Sequence, residues 1–155
     1  MEHLDVRLDF ERFPQRHACD GENISQKIEI AGLGTPYIAV IMDDPDAPGG
    51  TFSHWLIWNI PARDVIPEGV PADAEVSSPF RAVQGRNDFG DVGYGGPCPP
   101  KGATHRFFIR VYGMREAIGL PAGAGRRELE TALQAVAVQY GEAMALYSRK
   151  ARVVP

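Results

Sequence analysis

Four side chains in this sequence have the types and spacing to act together on a charged ligand: Asp44, Asp46, His54 and His105. Asp44 and Asp46 flank Pro45 in a Pro- and Gly-rich turn, and His54 follows that turn and opens the apolar run Trp55-Leu56-Ile57-Trp58. His105 repeats the arrangement, following Gly96-Pro97-Cys98-Pro99-Pro100 and preceding Arg106-Phe107-Phe108-Ile109. A lone histidine at a strand entrance is usually structural, and an Asp beside Pro usually serves the turn. The repetition is what raises the pair above those readings. A protonated imidazole donates to a phosphate or carboxylate oxygen, and a nearby anion favours that protonated form. A carboxylate repels the same anion, so Asp44 is better suited to orient a histidine or to meet an ammonium group on the ligand. Residues two apart in an extended turn share a side, so Asp46 can face the same pocket. Backbone N–H groups near Gly96 and Cys98 offer further donors, Pro99 lies beside them, and Trp55 and Tyr94 supply an apolar wall.

The elements that must carry these residues are mostly strands. Leu4, Val6, Leu8 and Phe10 alternate with charged residues, as in a half-buried strand ended by Phe13-Pro14. Asp20-Gly21 marks a reversal, and Ile28 and Ile30 resume the alternation. Tyr37–Met42 is apolar on both faces and rich in β-branched residues, the pattern of a short central strand. His54–Ile60 and Phe107–Tyr112 are further strands, and residues 61–81, with four prolines, form a long connection. Five glycines between Gly85 and Gly96 predict a backbone that approaches a ligand closely or adopts positive φ. After Gly125 the period changes: Leu129, Leu133, Val136, Tyr140, Met144 and Tyr147 step by four, three, four, four and three, predicting one long core-facing helix. Gly141 inside it would allow close packing on the sheet. The expectation is one domain over residues 1–155, mostly β, an antiparallel two-sheet sandwich with a C-terminal helix.

With 155 residues and a net charge of −4 of mixed sign, the chain shows no basic footprint for nucleic acid and no polybasic membrane anchor. No apolar run approaches a membrane span, and the N-terminus lacks a signal peptide's apolar stretch, so a cytoplasmic protein without integral membrane association is expected. Cys19 and Cys98 each sit in a turn, which leaves a single bridge open to them, but a cytosolic chain keeps its thiols reduced.

The Asp44-Pro45-Asp46-Ala47-Pro48 turn, His54 with Asn59-Ile60, and Gly96-Pro97-Cys98-Pro99-Pro100-x-Gly102 followed by His105-Arg106 resemble the phosphatidylethanolamine-binding protein family, which includes the Raf kinase inhibitor proteins. The likeness is greater to small bacterial and archaeal members, and it extends to Cys19-Asp20-Gly21-Glu22-Asn23-Ile24-Ser25 and to Leu120-Pro121-Ala122-Gly123. It implies a Greek-key sandwich and a pocket for phosphate-like or carboxylate anions. Asp44, His54, the Gly96–Pro99 backbone and His105 would line that pocket, Asp46 would support the turn, and Ala47–Pro48 would be a cis peptide. Phe107 replaces a tyrosine of many members, His17-Ala18 a Tyr-Thr and Gln26-Lys27 a Pro-Pro. The long C-terminal extensions of the animal proteins are absent or different, which counts against Raf-type inhibition.

The leading functional expectation is therefore a non-enzymatic protein that binds a phospholipid head group or other small phosphorylated ligand, needs no cofactor, and modulates a kinase or other protein partner. A homodimer is compatible with the sequence. The alternative is a serine protease inhibitor acting through an exposed loop at 61–81 or 113–125. A metal-dependent hydrolase could draw on Asp44, His54, Cys98 and His105, which are acceptable zinc ligand types, but no tight metal-ligand spacing or Gly-x-Ser-x-Gly elbow accompanies them.

Overall fold

The computed structural model describes residues 1–150. Its strands are β1 (Glu2–His3), β2 (Asp5–Arg7), β3 (Ile28–Ala31), β4 (Tyr37–Asp44), β5 (Phe52–Pro61), β6 (Val65–Ile66), β7 (Glu75–Val76), β8 (Ala82–Gln84), β9 (Thr104–Met114) and β10 (Ala137–Ser148). One helix, α1 (Arg126–Val136), precedes β10, and a short 3-10 turn spans Gln15–His17. Seven strands form a large sheet in the order β1-β10-β9-β4-β5-β8-β7, and β2-β3-β6 form a small second sheet. All pairings are antiparallel except β1 with β10. The run β9-β4-β5-β8 has the Greek-key order, with the late strand β9 returning beside β4.

The apolar run of β4 is central, flanked by β5 and β9, and its side chains serve two cores. Ile38, Val40 and Met42 face the small sheet and pack with Trp55, Ile57, Phe107, Ile109 and Val111. Ala39 and Ile41 face the opposite way and pack with Leu56, Trp58 and the helix residues Leu129, Leu133 and Val136. Burying each of those three helix side chains contributes roughly 1.5–3 kcal/mol, enough to hold a helix of 11 residues that would be marginal alone.

The predicted long helix is a correction. It ends at Val136, and β10 occupies the rest of the segment, with Gln139, Gly141, Ala145 and Tyr147 buried in strand alternation. Met144, assigned to the helix core by spacing, is 46% exposed. Gly141 lies in this strand, where a Cβ would come within 2.1 Å of the Leu4 carbonyl oxygen. The close approach expected of it is real, but the neighbour is the N-terminal backbone, joined by Leu4 N–H to the Tyr140 carbonyl at 2.8 Å.

Four further features differ from, or add to, what the sequence suggests. The first strand is shorter than Leu4–Phe10, because only Asp5–Arg7 pairs with β3. Ala47–Pro48 is trans, and the cis peptide among the described residues is Ser78–Pro79. The two cysteines are joined: Cys19 and Cys98 form a disulfide across a separation of 79 residues, with their Cα atoms 5.4 Å apart. Turns at both cysteines let the segments meet, and Cys19 N–H also donates to the Pro97 carbonyl at 3.0 Å. The connection at 61–81 is not free of structure, since it contains β6 and β7.

Candidate functional site

Asp44 ends β4, and its position follows from alternation: Met42 faces the main core, so Asp44 does too, while Asp43 turns to the opposite face. His54 reaches the same side by a different device. Met42 pairs with Trp55 and Asp43 with Ser53, so His54 is an extra residue in β5. Such a bulge re-aims a side chain, and the His54 ring lies 5.3 Å from the ring of Phe107 on β9. His105 begins β9 on the Phe107 face, its ring 6.4 Å from that of Phe107. Phe107 thus stands beside both imidazoles.

Each histidine has one nitrogen committed. His54 Nδ1 lies 2.7 Å from the Gly95 carbonyl, and Gly95 N–H donates back to the His54 carbonyl at 2.9 Å. A carbonyl only accepts, so Nδ1 carries the hydrogen and Nε2 is the atom left for a ligand. His105 Nδ1 lies 2.7 Å from Asp44 Oδ2, which orients its ring in the same way. The other Asp44 oxygen accepts the Asp46 N–H at 2.8 Å and closes the turn. Burial pushes the His54 pKa below the ordinary imidazole value, against the raising effects of the Gly95 hydrogen bond and of Asp44.

Between these rings lies a cavity of about 250 Å³, lined by Asp44, Ala47, Pro48, Phe52, His54, Phe89, Cys98, Pro100, His105 and Arg149. Larger depressions exist elsewhere, one bounded by Asp5, Arg7 and Glu29 on the small sheet, but they lack a comparable set of oriented donors. Of the residues selected from sequence, Asp44, His54, Cys98 and His105 meet here. Asp46 does not: both its oxygens take hydrogen bonds from Arg106, at 2.8 Å to Nη2 and 3.0 Å to Nε, and this partner holds its pKa down at about 2. Trp55 is fully buried, donating to Gln84 Oε1 at 2.7 Å. Tyr94 packs edge-on against Trp55 and donates to the His17 carbonyl at 2.8 Å. Gly96 N–H, expected as a ligand donor, is taken by Asn23 Oδ1 at 2.7 Å. Pro99 contributes its carbonyl to Arg149 Nε at 2.7 Å rather than a wall. Trp55, Tyr94, Gly96 and Pro99 therefore support the site from behind.

Phe52, Phe89, Pro100 and Arg149 were not legible as site residues. Phe52 and Phe89 contact each other edge to face, with centroids 4.7 Å apart, and both touch His54. Phe89 is held there by Asn87, whose Oδ1 accepts the Phe89 and Asp91 N–H groups, and by Asp88 Oδ2, which accepts the Ser53 N–H. An Asn two residues before a Phe in a Gly-rich stretch is a turn signal, but nothing local says which pocket the ring will reach. Arg149 was hidden by the helix reading, because it follows the strand β10 and not a helix.

A model of the family described as phosphatidylethanolamine-binding protein matches residues 6–148. The chain belongs to that family. UPF0098 protein PH1269 of Pyrococcus horikoshii is 46% identical over 143 residues, covering 90% of this chain and 72% of that protein. A UPF0098 protein of Aquifex aeolicus is 43% identical over 145 residues, with 90% and 82% covered. The crystal structure of Escherichia coli YbcL, described as a new member of the mammalian family, matches with a TM-score of 0.84 at 31% identity, over 95% of this chain and 99% of that one. Family membership makes this a binding protein of the phosphatidylethanolamine-binding type, and no helix among the described residues is long and apolar enough to cross a membrane.

Proposed function

We propose that the pocket binds a phosphate-like or carboxylate anion, such as the head group of a phosphorylated ligand, and does not turn it over. The observation that carries this reading is the pair of imidazoles on one small cavity, each with Nδ1 committed to a fixed acceptor and Nε2 left for a ligand. Arg149 adds a permanent positive charge on the same wall. Asp44 acts through His105 rather than on the anion, and an ammonium group on the ligand could meet its remaining lone pairs. Phe52 and Phe89 offer an apolar shelf for the part of the ligand beyond the anion.

The hydrolase alternative loses its thiolate, because Cys98 is bonded to Cys19 and a metal-ligating or nucleophilic cysteine must be ionised. The protease-inhibitor alternative needs a protruding loop. Residues 61–81 are tied down by β6 and β7, and Ile118 in the 113–125 connection is clamped by Asn59 through two hydrogen bonds of 2.8 and 2.9 Å. Neither a kinase, a protease nor a second copy of the chain is required for the pocket to take an anion. The disulfide weakens the cytoplasmic expectation, since such bridges persist chiefly in oxidising compartments.

Titration with phosphorylethanolamine, followed by the imidazole NMR signals, tests the site. His54 and His105 are expected to shift together, and the backbone amide shifts of the pocket residues on titration should disappear in the His54→Ala, His105→Ala double variant. If neither ring responds while other residues do, the anion sits elsewhere and the reading fails.

A further inference from the structure

Arg149 closes the pocket on one side and lines a second, larger cavity of about 560 Å³ on the other. Lys101, Lys150, Asp20, Tyr147 and Gln15 border this second space. Three cations therefore surround it, in a chain whose net charge is −4. The one carboxylate present is already engaged: Asp20 Oδ1 accepts the Tyr147 hydroxyl at 2.6 Å. Some basic side chains elsewhere are matched, Arg7 with Asp5, Arg16 with Glu68, Lys27 with Asp9 and Glu29, Arg106 with Asp46, and Arg110 and Arg126 with Asp43, while several single arginines on other surfaces of the described residues are not. Among the described residues, Lys101, Arg149 and Lys150 form no ion pair with a carboxylate.

The backbone keeps these charges together. Gly102 N–H donates to the Arg149 carbonyl at 3.1 Å and Ala103 N–H to the Pro100 carbonyl at 3.0 Å, so the turn carrying Lys101 is fastened beside the end of β10. Arg149 Nε is spent on the Pro99 carbonyl, which fixes the guanidinium plane and leaves its two terminal NH₂ groups for other acceptors. Clustered like charges repel one another, and an anion seated among them relieves that repulsion.

We infer that the second cavity is an anion subsite continuous with the first, so that the ligand is an elongated polyanion. This rests on the anion-pocket reading: one phosphoryl or carboxylate group sits between His54 and His105, Arg149 bridges, and a second anionic group lies near Lys101 and Lys150. Both lysines are exposed, so replacing them leaves the core untouched.

Calorimetric titration with orthophosphate and with linear tripolyphosphate separates the two sites. Tripolyphosphate should bind the wild-type protein at least about tenfold more tightly, the equivalent of one further charge-assisted contact. The Lys101→Ala, Lys150→Ala double variant should bring it to the orthophosphate level while leaving orthophosphate affinity within about twofold. Lys27→Ala, at a paired lysine on another surface, should change neither. Equal affinity for the two anions in the wild type, or a tripolyphosphate advantage that survives the double variant, overturns the second subsite. Tripolyphosphate binding that depends on Lys101 and Lys150 in a protein indifferent to orthophosphate would uphold the second cavity and refute the histidine pocket.

Discussion

Raising the pH from about 5.5 to about 8.5 should release a sulfate ion from the pocket, because in their neutral forms both histidines offer it a bare nitrogen. His54 Nδ1 is bound to the Gly95 carbonyl and His105 Nδ1 to Asp44, so only protonation gives Nε2 a hydrogen to donate. Burial already holds the His54 pKa below its ordinary value, and the empty pocket is therefore biased towards the form that cannot bind. If His54 takes up one proton with the anion, affinity falls about tenfold for each pH unit above the pKa of that ring, or about 1.4 kcal/mol per unit. Sulfate is the probe because its charge is constant across this range, so the protein alone supplies the slope. Calorimetry in several buffers gives both the affinity and the proton uptake. His54→Gln keeps a donor that does not titrate, and it should reduce the slope by one factor of ten per unit while retaining some binding. A wild-type affinity that is flat across the range would mean that Arg149 or backbone groups hold the anion, and the role given to the imidazoles would be wrong.

Protein stability should follow two buried rings, His54 again and His17, with the opposite consequence. His17 and His54 both have pKa values lowered chiefly by burial, so the unfolded chain binds protons more readily than the folded one; stability is complete above about pH 6.5 and falls as pH drops below it through the folded values, which thermal melts across that window in anion-free buffer would show as a steadily lower midpoint. Gly96→Ala should destabilise by about 1–3 kcal/mol, because a Cβ there would stand 2.0 Å from the His17 carbonyl oxygen. Gly119→Ala, with nothing within 4 Å, should be nearly neutral in the same denaturant titration. Replacing Cys19 and Cys98 by alanine should lower stability by about 4.5 kcal/mol on the loop-entropy estimate for a separation of 79 residues; a measured loss below about 1 kcal/mol would show that the unfolded chain keeps the two segments close without the bridge.

The parts of the fold visible in the sequence are those with an unambiguous period. Tyr37–Met42 had to be central because both its faces are apolar, and it lies between β5 and β9. The helix was visible at its start and invisible at its end. Leu129, Leu133 and Val136 do face the core, but Tyr140 and Met144 continue the helical spacing by coincidence, while Gln139 and Gly141, which are buried, break a hydrophobic reading of the strand. Gln139 is inward because it has work to do: its side chain accepts the Gly34 N–H and donates to the Gly32 carbonyl. Polar satisfaction of that kind has no signature in periodicity. The glycine-rich stretch misled in a related way. Gly96 needs the absence of a side chain, but the close neighbour is the backbone at His17–Ala18, not a ligand. Asp44, His54 and His105 could be chosen from turn chemistry, whereas Phe89 and Arg149 reach the pocket only through long-range packing.

The three aspartates of the Asp43-Asp44-Pro45-Asp46 stretch show how one strand end serves two faces. Alternation sends Asp43 away from the pocket into a fully buried position, where it pairs with Arg110 at 2.9 Å and with Arg126 at 2.8 Å. Arg126 is the first residue of α1, so this carboxylate fastens the helix to the strand that carries the site. Asp44, one residue on, faces the pocket and fixes the His105 ring. Asp46 lies beyond the strand and grips Arg106, whose own N–H also donates to it at 2.9 Å. The start of β9 is thereby held twice, at His105 by Asp44 and at Arg106 by Asp46. Read as a cluster, these acids suggest a metal site or an acid–base pair. Each is instead committed to a different cation or imidazole, and together they hold one strand end, one helix and one histidine in register around a cavity whose remaining charge is positive.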